Sequence, residues 1–445
     1  MRNLSKLALP GILITGFIIR LISLNQSLWL DEATTAMVSK MNLTEIFTKF
    51  LTADFHPPLY YLVLKYWTLI FGYSEVSLRI PSIIFGIVTV YVTYLIAKKL
   101  FNQRTALIAS ALLATSGLAI YYSQEARMYG MAAMLVAIAI YLFINKKWLY
   151  FSLSLVLIGM TDYVSLFIVP AFLIIGWKDF KKIALSFIPL LLSFILWSPI
   201  FIKQLSGGLA VAGSAWWNIL GTATFKNIAL IPIKFIFGRI SFDDKNLYAL
   251  LAGLAAFIFG YLLFRAGKAG REVWYWLITP ILIGVLISFK VPTLSYFRFI
   301  FCLPAFYLLT AYGIEKAGKY KNAFLVAVIA INILSSGYYL FNSKFQREDW
   351  RAAATAIATD KIVFPANSQK EGLIYYGKGN QIVEVSALEP ADRDIWLSRY
   401  VWEIVDPEDV TRQKIESLGY NMATEYNFNG VLLWKYTKNL YADRN

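Results

Sequence analysis

The sequence predicts a polytopic α-helical membrane protein with a small α/β domain at its C-terminal end. Hydrophobic residues make up 58% of the 445 residues and charged residues only 16%, a composition too apolar for a soluble chain of this length. Near Lys344 the composition changes to mixed polar sequence, which continues to Asn445. We therefore expect a membrane domain over residues 1–343 and a soluble domain over residues 344–445.

The positive charges predict which loops face the cytoplasm. The formal net charge of +15 would by itself also suit a nucleic-acid-binding protein. The basic residues lie between hydrophobic stretches, however, as in cytoplasmic loops, and we expect no nucleic-acid partner. The five basic clusters are residues 98–104, 146–147, 178–182, 265–271 and 316–321.

These clusters predict eleven crossings that begin inside and end outside. The first span follows Arg2 and Lys6 and is long enough to remain uncleaved. We therefore expect a multi-pass protein of the plasma membrane with a cytoplasmic N-terminus and an extracytoplasmic C-terminal domain. The predicted spans are residues 7–24, 79–97, 105–122, 128–144, 148–161, 163–177, 183–201, 247–265, 273–289, 298–314 and 323–341.

One apolar segment, Leu59–Phe71, is not expected to cross the membrane. It has 13 residues, it is short for a hydrocarbon core of about 30 Å, and Lys65 lies at its middle. A second, amphipathic helix is predicted over residues 31–41. Residues 25–78 therefore predict a large external loop that carries two juxtamembrane helices.

The C-terminal segment predicts alternating helices and strands. The expected elements are a helix over 348–359, strands over 361–365, 372–376, 381–386 and 394–400, a helix from Asp406-Pro407 to Gly419, and a strand over 431–436.

Several kinds of site are not signalled by the sequence. Cys302 is the only cysteine and His56 the only histidine, so neither a disulfide nor a cysteine- or histidine-based zinc site is expected. Motifs of nucleotide-binding loops and serine hydrolases are also missing.

Most of the polar residues that suggest chemistry fall on the predicted external side. They are Asp31, Glu32, Asp54, His56, Arg79, Glu125, Arg127, Asp162, Trp216, Trp217, Asp243, Asp244, Tyr296 and Arg298. This distribution indicates an external site; the alternative is that these are ordinary side chains at helix ends that reach toward water.

The adjacent carboxylates Asp31 and Glu32 follow the first span directly. Carboxylates near hydrocarbon are costly unless water, a cation or a substrate stabilises them, so the pair suggests a functional site. The alternative is structural: Asp31 begins a helix as its cap, and Glu32 is favoured by the helix dipole.

Two further clusters combine charged and aromatic groups. His56 precedes two prolines and Tyr60, where an ordinary proline-started helix is the alternative. Glu125, Arg127 and Tyr129 lie together in one short turn, where a structural ion pair is the alternative. Arg79 and Arg298 stand at the starts of other spans. Guanidinium groups form paired hydrogen bonds to phosphate, so an external set of them suits a phosphorylated lipid headgroup.

The order of the motifs along the chain resembles one known family. The series is Leu-Asp-Glu at 30–32, His-Pro-Pro-Leu-Tyr-Tyr at 56–61, Leu-Arg-Ile-Pro-Ser at 78–82 and Ser-Gln-Glu-Ala-Arg-Met-Tyr at 123–129. It resembles the GT-C membrane glycosyltransferases, in particular the protein O-mannosyltransferase-like group that includes the aminoarabinose transferases. Arg298 with Pro304 resembles that group's late Arg-Tyr…Pro segment. The resemblance implies the GT-C fold.

The resemblance also implies roles for single residues. Asp31 is expected to be the catalytic carboxylate, with Glu32 as its companion and Glu125 as a second acidic catalytic residue. Substrate-binding roles are expected for His56, Tyr60, Arg79, Arg127, Tyr129, Asp162 and Arg298. Two positions depart from the pattern, because Asp162 replaces a common histidine and Phe299 replaces the tyrosine after the late arginine. Both departures bear on substrate preference.

By this resemblance the protein is an inverting glycosyltransferase. The resemblance implies that it moves a sugar from a polyprenyl-phosphate donor in the lipid bilayer to a protein, lipid or glycan acceptor on the external face. No cofactor is expected to be required, although a divalent metal held by Asp31, Glu125 and Asp162 stays an alternative. A loop from Ser206 to Trp217 is a candidate lid.

Two other functions remain open from the sequence. A transporter or flippase for a lipid-linked sugar would line a path with charges inside the bilayer, but spans 183–201, 247–265 and 323–341 carry no internal acidic or basic residue. A non-catalytic relative that binds glycan would not need the Asp31 and Glu32 pair.

Overall fold

The computed structural model describes residues 2–210, 214–268, 270–366, 368–389 and 391–438. The chain divides into two units. The membrane unit contains the residues up to Leu24, Asn42–Gly72 and Val76–Phe341. The C-terminal unit contains Asn25–Met41, Tyr73–Glu75 and the described residues from Asn342 onward. It thus takes in the Asp31–Glu32 segment as well as the polar C-terminal sequence.

A helix lies at each of the eleven predicted spans. The longer helices of the membrane unit are Arg2–Leu21, Leu59–Phe71, Glu75–Leu100, Gln103–Thr115, Gly117–Ser123, Tyr129–Ile144, Trp148–Gly159, Val169–Ile175, Phe180–Ala210, Phe225–Phe237, Lys245–Ala266, Arg271–Ile287, Leu303–Lys316 and Lys321–Phe341. Shorter helical segments are Leu43–Glu45, Ile46–Phe50, Val164–Ile168, Trp177–Asp179, Ala215–Ile219, Tyr296–Cys302 and Gly318–Tyr320.

Five of the described helices are long and apolar enough to cross a membrane, or six if the bent pair Gln103–Thr115 and Gly117–Ser123 is one span. Leu196, Phe257 and Phe264 on such helices are at least 77% exposed, as expected of side chains that face lipid rather than water. The chain is an integral membrane protein, while the count of eleven crossings stays a prediction.

Polar contacts join loops that were predicted to share the cytoplasmic side. Arg104 pairs with Glu315 at 3.0 Å, and Lys146 pairs with Asp179 at 2.7 Å. The Arg265 guanidinium donates to the Lys316 carbonyl. The basic clusters are thus linked in pairs by tertiary contacts, as loops at one end of a helix bundle would be.

One detail of the membrane unit differs from the sequence prediction and another agrees with it. The predicted loop from Ser206 is mostly helical, because the helix Phe180–Ala210 continues through it and Ala215–Ile219 forms another short helix. Residues 211–213 of the candidate lid lie outside the described residues. The predicted non-crossing segment is a helix with the expected bounds, Leu59–Phe71.

The C-terminal unit contains a mixed five-stranded sheet of order β2-β1-β3-β5-β4. The strands are β1 (Lys361–Val363), β2 (Ile382–Val383), β3 (Asp394–Ser398), β4 (Tyr420–Phe428) and β5 (Val431–Lys438). β1 pairs in parallel with β2 and β3, while β5 is antiparallel to β3 and β4. Its helices are Leu30–Lys40, Ser343–Phe345, Trp350–Ile357, Glu371–Tyr375, Gly379–Gln381, Val385–Ala387, Trp402–Val405 and Val410–Ser417.

Alternate residues of the strands fill two cores, one on each face of the sheet. Ile362 and Trp396 pack with Trp350 on one face, whereas Val363 and Ile395 pack on the other. This alternation follows from the two-residue period of a strand. Both sides of the sheet are therefore buried at its centre.

The predicted strand over 372–376 is wrong, because these residues form the helix Glu371–Tyr375. Gly372 packs so tightly on the Trp350 indole that a Cβ there would lie 2.4 Å from an indole carbon. β4 was not predicted. Its residues are almost all exposed, so it lacks the apolar alternation that identifies a half-buried strand.

Candidate active site

Asp31 lies in the first turn of the helix Leu30–Lys40. The N-cap residue is Trp29, which makes no side-chain cap hydrogen bond, so Asp31 does not cap the helix as the structural alternative required. Asp31 is half-buried, and its backbone carbonyl accepts a hydrogen bond from the Thr35 hydroxyl at 2.8 Å. Its carboxylate is favoured by the positive end of the helix dipole.

Glu32 is fully buried beside an arginine of the same unit. The distance from Arg347 Nε to Glu32 Oε2 is 3.8 Å, and the two side chains are 1% and 0% exposed. The Arg347 backbone N–H also donates to the Gln26 side-chain oxygen at 3.0 Å. These contacts give Glu32 an anchoring position in the C-terminal unit.

Glu348, which follows Arg347 in the chain, contacts the start of the helix Leu30–Lys40 that carries Asp31. One Glu348 carboxylate oxygen, Oε2, accepts from the Leu30 N–H at 3.4 Å and from the Trp350 indole N–H at 2.9 Å. The other oxygen, Oε1, accepts from the Tyr400 hydroxyl at 2.9 Å. Glu348 thus acts as a remote cap for an N-terminal backbone donor.

Asp54, His56 and Arg127 form a polar cluster in the membrane unit. The Tyr61 hydroxyl donates to Asp54 Oδ2 at 2.7 Å, and Arg127 Nη1 donates to the Tyr61 hydroxyl at 3.5 Å. His56 Nδ1 lies 3.3 Å from Asp54 Oδ2. Burial alone would raise the pKa of Asp54, but the charges of His56 and Arg127 and these hydrogen bonds lower it to about 2.

A second cluster surrounds Glu125, which is 1% exposed. The Arg239 guanidinium donates to the Tyr121 hydroxyl at 2.6 Å and stacks over the Tyr121 ring. Arg239 also interacts electrostatically with Glu125 and Tyr296. Arg239 is exposed as a residue, while its guanidinium packs against the Tyr121 ring.

Tyr129, Arg298 and Asp162 are electrostatic neighbours. Arg298 Nη1 donates to the Pro292 carbonyl at 2.8 Å. Asp162 Oδ2 accepts from the backbone N–H and the hydroxyl of Ser165 at 2.9 and 2.6 Å. Asp162 therefore caps the following turn, a structural role that its sequence position did not reveal.

Arg79 and Tyr60 are buried inside the membrane unit. Arg79 is 1% exposed and donates to the Leu24 carbonyl at 2.8 Å. The Tyr60 hydroxyl lies 3.3 Å from the Ser82 hydroxyl. Both side chains contact protein groups, and their assignment to substrate binding stays a prediction.

A small pocket with a cavity volume of about 30 Å³ lies beside the Glu125 turn. Arg20, Gly86, Tyr122 and Gly130 are among its lining residues. Arg20 is fully buried, and its Nε donates to Ser123 Oγ at 3.0 Å. Arg20 lies inside the predicted span 7–24, and a charged residue there indicates a functional or structural role. It was not predicted as a site residue.

Three functional candidates were missed from the sequence. Arg239 belongs to no motif and follows a short apolar helix. Glu348 and Tyr400 lie more than 300 residues from Asp31 in the chain, so only the tertiary structure joins them to it. The only feature of the sequence that could have pointed to Glu348 is its position close to Lys344, where the composition changes.

Among the described residues, no group of three or more His, Cys, Asp or Glu side chains is placed to hold a metal ion. The absence of a metal requirement stays a prediction.

Comparisons with known proteins support the resemblance. Residues 55–202 match the family model of dolichyl-phosphate-mannose-protein mannosyltransferase. A search of curated proteins found no match.

Solved structures of the same fold include ArnT from Cupriavidus metallidurans bound to undecaprenyl phosphate. Its TM-score is 0.58 at 11% identity, with 97% of this chain and 98% of that chain covered. The oligosaccharyltransferase of Archaeoglobus fulgidus, in complex with Zn and sulfate, has a TM-score of 0.54 at 12% identity. The match covers 97% of this chain and 74% of that chain. The fold is therefore the GT-C fold, and the chain resembles membrane glycosyltransferases of the O-mannosyltransferase and ArnT type.

Proposed function

We propose that this chain, which resembles GT-C membrane glycosyltransferases, transfers a sugar from a polyprenyl-phosphate donor to an acceptor on the external face of the membrane. One observation carries the proposal: the fold matches over 97% of the chain a solved structure that contains undecaprenyl phosphate. The family-model match over residues 55–202 adds to it.

Asp31 is the general base of the proposed reaction. The acceptor hydroxyl oxygen forms a bond to the anomeric carbon while the bond from that carbon to the phosphate oxygen breaks. The hydroxyl proton passes to Asp31 as the new bond forms, because a carboxylate is too weak a base to remove it beforehand. Attack from the side opposite the leaving group inverts the anomeric configuration.

Arginines stabilise the departing phosphate. Polyprenyl phosphate leaves as an anion and needs no acid, so guanidinium groups that receive the developing charge accelerate the step. Arg127 and Arg239 are the candidates in the membrane unit, with Glu125 and Tyr121 orienting Arg239. A planar guanidinium forms two parallel hydrogen bonds to a phosphate, which a lysine does not.

Transfer and transport can be separated in one assay. The purified protein is placed in vesicles with a panel of polyprenyl-phosphate sugars labelled in the sugar, together with peptide, lipid and glycan acceptors. We expect one donor to be consumed, with release of polyprenyl phosphate and an inverted product. Labelled donor that crosses the bilayer without being consumed would instead support the transporter.

The external face of the reaction is part of the proposal. Cys302 is the only native cysteine and is buried, so a Lys99→Cys variant offers one accessible thiol. An impermeant reagent added outside intact cells should leave this thiol unlabelled. Labelling from outside would reverse the predicted orientation and with it the external site.

A further inference from the structure

We propose that the small pocket beside Arg20 binds a monatomic anion, chloride in ordinary salt solutions, which neutralises the buried Arg20 guanidinium. The site lies in the membrane unit, at the last turn of the helix Arg2–Leu21. This inference goes beyond the proposed function and does not depend on it, because it concerns an inorganic ion that binds the folded protein.

Arg20 is a buried cation whose partners are all neutral. Its side chain is 0% exposed. Nε donates to Ser123 Oγ at 3.0 Å, and Nη1 donates to the carbonyls of Gly16 and Ala114, each at 2.9 Å. Across the described parts of the chain, no acidic side chain pairs with this guanidinium. The three oxygens satisfy donors without cancelling the charge, and a buried charge without a counter-charge is costly.

The remaining terminal nitrogen of Arg20, Nη2, has no hydrogen-bond partner among the described residues, and it is buried. An arginine has five N–H groups, two of them on this nitrogen. Leaving a buried charged donor unsatisfied costs more than leaving a neutral one. A negatively charged acceptor against Nη2 would therefore both satisfy these donors and neutralise the charge.

The pocket provides room for such an acceptor and limits its size. Arg20 lines the pocket, whose volume is about 30 Å³. This is about the share of one water molecule in the liquid, so a halide ion fits, whereas phosphate, sulfate or a sugar does not. Gly86 and Gly130 form part of the wall. A Cβ at Gly86 would lie 3.4 Å from Arg20 Nε and 2.2 Å from Ser123 Oγ, so the missing side chain keeps this side of the guanidinium open.

The chemistry of the wall favours a halide over a water molecule. The hydroxyls of Thr89 and Ser123 line the pocket, but both donate to backbone carbonyls of their own helices, at 2.8 and 2.6 Å. A buried water typically needs about 2–4 polar partners. A halide needs fewer, because one buried cation supplies most of its attraction. Much of the remaining wall is apolar, formed by Leu113, Ala119, Ala133, Ile300, Leu303 and Pro304.

The anion would stabilise the contact between the first helix and the turn that carries Glu125. Ser123 accepts from the Arg20 guanidinium, and the Gln124 side chain donates to the Arg20 carbonyl at 2.9 Å. Tyr122, which lines the pocket, interacts electrostatically with Glu125. Because the uncompensated Arg20 charge opposes this packing, its neutralisation should raise the thermal stability of the protein.

Thermal unfolding of the purified wild-type protein in detergent tests the proposal. The protein is dialysed into sodium gluconate, whose anion is too large for the pocket, and chloride or bromide then replaces gluconate at constant ionic strength. A ligand that binds only the folded state raises the midpoint by mass action. From about 1 to about 100 mM halide, the midpoint should rise by roughly 2–4 °C. An unchanged midpoint in all three salts would overturn the proposal.

Two arginine variants show whether the halide response belongs to this pocket. Arg20→Met removes the cation and keeps a long side chain, so the response to chloride and bromide should disappear. Arg104→Met is the matched control, because the Arg104 side chain is 50% exposed in its pair with Glu315, and it should keep the wild-type response. A response that persists in Arg20→Met, or that disappears equally in Arg104→Met, would contradict the assignment.

Anomalous diffraction keeps the proposal testable if Arg20→Met does not fold. Crystals of the wild-type protein grown in sodium bromide should show an anomalous peak within hydrogen-bonding distance of Arg20 Nη2. An ordered water at this position without anomalous signal would refute the anion site. Neither measurement uses sugar transfer, so failure of the proposed function would leave this inference untouched.

Discussion

The ion pair of Glu32 and Arg347 supplies the sharpest stability prediction. At 3.8 Å and an effective dielectric constant of about 20, the attraction between two unit charges is about 4 kcal/mol. Desolvation offsets much of this gain in the intact pair. Removing one partner of a buried ion pair, however, typically costs about 3–5 kcal/mol, because the remaining buried charge loses this attraction. Arg347→Met should therefore destabilise the C-terminal unit by this amount.

The double variant distinguishes the ion pair from lost packing. Glu32→Gln in the Arg347→Met background removes the buried charge, so most of the lost stability should return. Arg351→Met is the matched control, because Arg351 pairs with Glu75 at 2.7 Å but its side chain is 45% exposed. An exposed pair contributes at most about 1 kcal/mol.

The assay is urea denaturation in detergent, followed by brief proteolysis and detection of the C-terminal unit. With an m-value of about 2 kcal/mol/M, the Arg347→Met midpoint should fall by about 2 M. The Arg351→Met midpoint should move by less than about 0.5 M. If Arg347→Met and the double variant lose equal stability, the buried charge is not the cause and the reasoning fails.

Three further predictions concern the membrane unit. Asp54→Asn should lower the free energy of unfolding by about 2–3 kcal/mol at neutral pH, because the pKa of Asp54 is lowered from 3.8 to about 2. In the wild type this contribution is present above about pH 4 and should disappear as the pH falls through about 2. A urea midpoint that stays constant over this pH range would contradict the prediction. Gly86→Ala should cost about 1–3 kcal/mol in thermal unfolding, because its Cβ would lie 2.2 Å from Ser123 Oγ. Gly253→Ala is the control, because a Cβ at Gly253 would meet no atom within 4 Å, and it should be neutral or stabilising. Equal losses of stability in the two variants would refute the steric argument. Arg239→Lys should lower kcat/KM for the lipid-phosphate donor roughly tenfold, and unchanged kinetics would remove Arg239 from the phosphate site.

Hydrophobic length predicted where the helices of the membrane unit lie, while the number of crossings and their orientation stay predictions. Each predicted span contains a helix, and the short segment Leu59–Phe71 has its predicted bounds. Helix positions and bounds in this unit depend on local composition, which can be read directly from the sequence. The continuation of the helix Phe180–Ala210 through two glycines was missed, because glycine is a weak helix former and tertiary context decided otherwise.

The C-terminal unit was harder to predict because its elements depend on distant contacts. The segment 372–376 has the residues of a strand but forms a helix, since Gly372 packs on Trp350. β4 exists because it pairs with β5, not because its own sequence alternates. Local patterns carry no information about such partners.

The candidate site, too, was predicted only in part from the sequence. Motif order made Asp31, Glu125 and Arg127 candidate site residues, and their roles stay predictions. The neighbours that determine their electrostatics come from remote segments, including Glu348 in one unit and Arg239 in the other. Charge-bearing residues outside motifs look like ordinary surface residues until the fold places them.

The most direct test of the account is the rate of sugar transfer by Asp31→Asn. Single-turnover transfer from a polyprenyl-phosphate sugar is measured for the wild type and for Asp31→Asn in vesicles, after thermal unfolding has shown that both are folded. Loss of a general base typically costs 10²- to 10⁴-fold, so we predict a rate at least about 100-fold lower with donor binding retained. Transfer at the wild-type rate would contradict the central claim.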